Sequence, residues 1–71
     1  GMTHNDIRNL QTALKTDSSV YPEGTVTGYF GPATLRAVKK FQEKYGIASP
    51  GASGYGNVGP ATRAKLNELY K

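Results

Sequence analysis

The sequence predicts an all-α fold, a small three-helix orthogonal bundle with long ordered loops and an internal turn-plus-helix repeat. Three observations carry that prediction. Apolar residues recur at helical spacing in three separate segments. Prolines and glycines fall where helices start and stop. A seven-residue stretch occurs twice, each time opening a helix. At 71 residues the chain has room for one domain, spanning residues 1–71, whose core supplies only a few kcal/mol of net stability. Residues 1–3 are expected to be flexible or a remnant of tag removal, because Gly1 precedes Met2. The chain is accordingly expected to be a piece of a longer protein.

The first helix is predicted from about Asn5 to Lys15, where Ile7, Leu10 and Leu14 form a stripe. Thr3 and Asp6 fit a capping box that satisfies free amides of the first turn, so the helix should begin near residue 4. From Thr16 to Gly31 the pattern breaks into turn formers, with Val26 and Phe30 as the expected apolar anchors. A connection of this length reads as a packed loop or a binding loop. Pro32 presets the first turn of a second helix and Gly46 is placed to end it, which gives Pro32 to Tyr45. Thr34, Ala37, Val38, Phe41 and Tyr45 share its inward face, and Arg36, Lys39, Lys40, Glu43 and Lys44 lie mostly on the other. A glycine-rich connection from Ala48 to Asn57 follows. Pro60 then opens a third helix, with Thr62, Leu66 and Leu69 expected on the inward stripe.

Gly28-Tyr29-Phe30-Gly31-Pro32-Ala33-Thr34 returns 28 residues later as Gly56-Asn57-Val58-Gly59-Pro60-Ala61-Thr62, with five of seven positions identical. Each residue of the unit has a physical use. The first glycine permits a tight turn, the apolar residue plugs the core, the second glycine caps the helix or admits a close backbone, and proline starts the helix. Threonine then faces inward. The helices continue in step, Val38 matching Leu66 and Phe41 matching Leu69, so two copies of one device should pack on each other.

Composition removes several function classes. There is no cysteine and one histidine, His4, near a terminus, so neither a thiolate or zinc site nor a histidine-based catalytic set is expected. The five acids, Asp6, Asp17, Glu23, Glu43 and Glu68, are scattered rather than paired for acid and base chemistry. No calcium loop and no Gly-Lys-Ser/Thr phosphate loop is present. The expectation is no enzyme activity and no cofactor. Nine basic against five acidic residues give a net charge of +4. That balance favours polyanions weakly and, without a basic cluster in the loops, does not predict nucleic-acid binding through Arg36, Lys39, Lys40 and Lys44. No apolar run is long enough to cross a bilayer, so no membrane insertion is expected.

Leu10-Gln11, both copies of the repeat, Ala37-Val38, Phe41-Gln42, Tyr45-Gly46-Ile47 and Leu66 together resemble the peptidoglycan-binding-like domain family over nearly the whole chain. The resemblance implies a three-helix module that anchors a wall hydrolase, amidase, transpeptidase or spore-cortex enzyme to murein. It also implies a place in the cell envelope or outside the cell, a monomer, and as partners peptidoglycan glycan or stem peptide and a covalently linked hydrolase or other domain. Related domains serve other matrices, including in propeptides of animal matrix metalloproteases, so the resemblance bears on fold before ligand. Two departures stand out. Thr27 occupies the position before the first motif glycine where the family often has aspartate, and the loop from Ala48 to Tyr55 is longer and richer in glycine than usual.

A wall ligand offers sugar faces, amides and carboxylates, and calls for aromatic rings, fixed donors and some positive charge. Tyr21, Tyr29 and Tyr55 lie in the loops and present a flat apolar face with a polar tip. Core packing competes with exposure for Tyr21 and Tyr29, while Tyr55, between two glycines, is expected to be exposed. Tyr45 and Tyr70 read as packing residues. Gly31 opens a helix whose first amides are free, as does Gly59, with capping by loop groups as the alternative. Arg36 and Arg63 sit at matching depth in the second and third helices and reach toward the loops or into solvent. The expected ligand-binding set is thus Tyr21, Tyr29, Gly31, Arg36, Tyr55, Asn57 and Arg63, around a shallow groove where the loops Tyr21–Gly31 and Tyr55–Gly59 meet. A protein-interaction or autoinhibitory docking module of the same fold is the alternative reading.

Overall fold

A computed structural model describes residues 3–70. Three helices, α1 (His4–Leu14), α2 (Pro32–Lys44) and α3 (Pro60–Leu69), are its regular elements, with no strand among the described residues. Gly1, Met2 and the expectation attached to them lie outside the described residues, as does Lys71.

Local chemistry sets each boundary. Thr3 accepts from the Asp6 amide at 3.1 Å through its hydroxyl, and the Asp6 carboxylate accepts from the Thr3 amide at 3.2 Å, completing the capping box of α1. Gly31 and Gly59 precede the prolines that start α2 and α3, both in extended conformation. At the far end of α2, Gly46 turns left-handed with φ of 67°. Its amide donates to Glu43 O and that of Ile47 to Gln42 O at 2.8 Å, the paired bonds of a Schellman cap.

Leu10, Leu14, Val20, Tyr21, Ala37, Val38, Phe41 and Leu66 form one buried cluster, with Phe30, Tyr45, Ile47, Val58 and Tyr70 packed against it. Every helix contributes, and so does the first loop. Two expectations change here. Leu69 is 39% exposed at the last residue of α3, and Tyr70, just past the helix end, packs against the core instead. In the first loop Val26 is only half-buried, and the anchors are Val20 and Tyr21 together with Phe30.

Two glutamines inside the core explain how the irregular loops hold their shape. Gln11 of α1 is 1% exposed. Its carbonyl oxygen accepts from the amides of Thr27 and Gly28 at 2.8 and 3.0 Å, and its amide group donates to Tyr29 O and the Thr34 hydroxyl, both at 3.0 Å. Gln42 of α2, also 1% exposed, repeats the arrangement one unit later. It accepts from the Gly56 amide at 2.8 Å and donates to Asn57 O at 2.8 Å and the Thr62 hydroxyl at 3.2 Å. Each motif turn is therefore pinned by a side chain of the helix before it, and each inward threonine is the partner that the glutamine requires. No buried side-chain polar atom is left without a partner among the described residues. The first motif glycines, Gly28 and Gly56, have φ of 81° and 83°, a conformation that favours glycine.

The first loop is also strapped to α2 by charge. The Asp17 carboxylate accepts from the Lys44 ammonium and from the Ser19 hydroxyl and amide. Lys44 above all, then Ser19, holds the Asp17 carboxyl down to about 2 from its ordinary 3.8. A depressed folded value means that this strap contributes fully above the unfolded value of 3.8 and is lost as pH falls toward about 2. Thermal melts between pH 5 and pH 2 should show a smaller decline for Asp17→Asn than for the parent; equal declines would mean that the strap contributes nothing.

Candidate functional site

The two pinned turns meet beside the start of α1, and Ile7, Phe30, Gly56, Asn57 and Val58 line an open hollow of about 450 Å³ there. Phe30 and Val58 are the matching apolar residues of the two motif copies, each half-buried with one side on the core. Val58 also lines a second, larger depression of about 560 Å³ between α1 and α3. Leu10, Ala13 and Leu66 supply the apolar side of that groove; Asp6, Asn9 and Thr12 of α1, Thr16 just past its end, and Arg63, Asn67 and Tyr70 from α3 and its end supply the polar side. The hollow and the groove adjoin at Val58, which lines both, and are together termed the trough. Its size lies in the range of small-molecule sites, but it is open rather than enclosed.

The seven expected residues separate in space. Asn57 lies in the hollow and Arg63 in the α1–α3 groove. Tyr29 is the most exposed large hydrophobic side chain among the described residues, at 71%. Its ring lies against Gly31, where a Cβ would come within 2.8 Å of the ring edge, so the second motif glycine is what lets the ring fold over the start of α2. Arg36 points elsewhere on α2 and pairs with Glu23 at 3.2 Å. Hydrogen bonding, including that from Arg36, and the nearby charges of Arg36 and Lys40 hold the Glu23 carboxyl below its ordinary value.

Two tyrosines depart from expectation. Tyr21 is 3% exposed and its hydroxyl donates to Thr25 O at 2.6 Å, so its ring takes the core alternative and is not available to a ligand. Tyr55 is half-buried rather than exposed: its hydroxyl donates to the Glu43 carboxylate, and Lys39 Nζ sits 5.4 Å from the ring centroid. The charged partner raises the Tyr55 hydroxyl above its ordinary value. The exposed loop ring is Tyr29, the reverse of what the flanking glycines of Tyr55 suggest.

Thr27, which stands where the family often has aspartate, accepts from the Tyr29 amide at 3.1 Å. A hydroxyl thus performs the turn-closing role open to a carboxylate. The cations of α2 are largely engaged: Arg36 with Glu23, Lys44 with Asp17, and Lys39 over Tyr55. No cluster of three or more His, Cys, Asp or Glu side chains suited to a metal ion occurs among the described residues, and no helix is long and apolar enough to cross a membrane.

The family model of the peptidoglycan binding domain matches residues 3–66, from the capping threonine of α1 to the last core leucine of α3. The chain belongs to this family. Similar proteins include the zinc D-Ala-D-Ala carboxypeptidase of Streptomyces albus G, 35% identical over 97% of the chain and 25% of the relative. The N-acetylmuramoyl-L-alanine amidase CwlL of Bacillus licheniformis is 36% identical over 92% of the chain and 18% of the relative. An uncharacterized protein of Kitasatospora aureofaciens is 47% identical over 86% of the chain and 47% of the relative. The chain thus spans between about a fifth and a half of the length of these relatives. No solved structure matches it. Within the peptidoglycan-binding domain, the groove residues that sequence reasoning did not single out include Asn9, Thr12, Thr16 and Asn67. Asn9 and Thr12 stand beside the apolar stripe of α1 as neutral polar residues.

Proposed function

We propose that the chain is one non-catalytic module that binds peptidoglycan and holds an attached enzyme or envelope protein against murein, in the cell envelope or outside the cell. The observation that carries this reading is the trough: hydrogen-bonding side chains edge an apolar floor immediately beside both copies of the repeat that marks the family. The relatives named as a carboxypeptidase and an amidase are longer chains, of which this segment matches a quarter or less, the proportion expected of an attachment. Tyr29, Gly31, Asn57 and Arg63 stay in the proposed contact set, Arg36 and Tyr55 are engaged outside it by Glu23 and Glu43, and Tyr21 supports the loop from inside.

Sedimentation with insoluble purified peptidoglycan tests the proposal. Most of the protein should pellet with the wall at moderate salt, with no muropeptide released on prolonged incubation. Protein that stays in the supernatant at high concentration would sink the binding role, and released fragments would sink the non-catalytic one.

A further inference from the structure

Resting on the peptidoglycan reading above, we propose that the trough takes the glycan strand, a run of N-acetylated sugars, and not the stem peptides.

Charge is the first argument. The groove carries one acid and one cation, Asp6 and Arg63, and Asp6 is already engaged in the cap of α1. A stem peptide ends in carboxylates and would require cations in excess. On α2, Arg36 and Lys44 are tied to acids and Lys39 sits over a ring, all outside the trough, and Lys40 lines a different depression beside Ser19, Val20, Glu43 and Lys44.

Hydrogen-bonding chemistry is the second. Asn9 on α1 and Asn67 on α3 are exposed on opposite walls, and neither makes a side-chain hydrogen bond among the described residues. Each offers an amide donor and a carbonyl acceptor. The Thr12 and Thr16 hydroxyls donate to Arg8 O and Ala13 O of α1, both at 2.7 Å, which leaves their lone pairs to accept. A wall with both donors and acceptors and near-zero net charge matches sugar hydroxyls and acetamido groups, which both give and take hydrogen bonds. Below them Leu10, Ala13, Leu66 and Val58 offer an apolar floor, the counterpart of the C–H face of a pyranose ring and of an acetamide methyl.

Shape is the third. Val58 lines both the hollow and the groove, and both are open rather than enclosed. An open course across two adjoining depressions suits the interior of a polymer, whereas a short peptide end is better held by a closed pocket.

The test titrates the whole chain, followed by amide NMR, with three probes: glycan strands freed of peptides by an amidase, the free tripeptide L-alanyl-γ-D-glutamyl-diaminopimelate, and intact sacculi by co-pelleting. Glycan strands should shift the amides around Asn9, Ala13, Val58, Arg63 and Asn67. The tripeptide should shift none, and glycan affinity should change by less than about twofold as salt is raised, since no ion pair is being screened. The double variant Asn9→Leu, Asn67→Leu should lose about tenfold in glycan affinity, the equivalent of two modest hydrogen bonds, with its circular dichroism unchanged, while Lys40→Ser should bind as the parent does. If sacculi pellet the protein but only the tripeptide shifts it, the glycan assignment is overturned and the wall-binding reading stands. Full glycan affinity in the folded double variant would overturn the assignment of this trough. Failure with sacculi as well as with both fragments removes the wall-binding reading itself.

Discussion

Gln11→Leu is expected to destabilise the domain by about 2–4 kcal/mol, most of what a core of this size supplies. Leucine is close in volume and at least as good a helix former, so the loss arises from what glutamine leaves behind. The amides of Thr27 and Gly28 lose their acceptor, and Tyr29 O and the Thr34 hydroxyl lose their donor. Gly28 and Thr34 are buried, where water cannot take over. Gln42→Leu should cost less, about 1–2 kcal/mol, because Gly56 is half-buried where Gly28 is buried, the threonine partners Thr34 and Thr62 being buried alike. Urea unfolding followed by circular dichroism separates the two variants by their midpoints. A Gln11→Leu midpoint equal to that of the parent would mean that the turn holds itself, and the reverse order of the two variants would mean that burial does not decide the cost.

The same glutamines mark where sequence reasoning stops. Helix boundaries were legible because Thr3, Pro32, Gly46 and Pro60 act within one turn of where they stand. The twin turns were legible because the motif is repeated. A polar residue beside an apolar stripe reads as solvated by default, and Gln11 and Gln42 are polar residues whose partners lie 16 to 23 and 12 to 20 residues further on. The available signal was position, since Leu10-Gln11 and Phe41-Gln42 each precede a motif copy. The tyrosines were misread for a related reason. Tyr21 follows Val20 into the core because the Asp17 turn, with both their amides bonded to Asp17 O at 3.0 Å, aims the pair inward. Tyr55 is drawn to α2 by Glu43 and Lys39, contacts that flanking glycines do not announce. The α1–α3 groove brings together the two helices furthest apart in sequence, so no local pattern describes it.

Phe41→Ala should abolish cooperative folding. The side chain is 1% exposed, packs against Tyr45 with ring centroids 4.9 Å apart and the rings tilted by 52°, and joins α1, α2 and α3 in one cluster. Truncation of a buried phenylalanine costs about 3–5 kcal/mol, which equals or exceeds the whole stability of a domain this small. The expected result is a collapsed amide dispersion in NMR and no thermal transition; a sharp transition within a few degrees of the parent would refute the view that one cluster holds the three helices. Phe41→Leu keeps most of the volume, should cost about 1 kcal/mol and stay folded, and so asks a finer question. Leu10 and Leu66 belong to the same buried cluster and also floor the groove. A core that repacks around a smaller residue must move them, and the floor moves with it. Phe41→Leu should therefore weaken peptidoglycan co-pelleting although no residue of the trough has changed. Undiminished pelleting beside a lowered melting temperature would show that the contact surface is confined to the rim and does not include the floor.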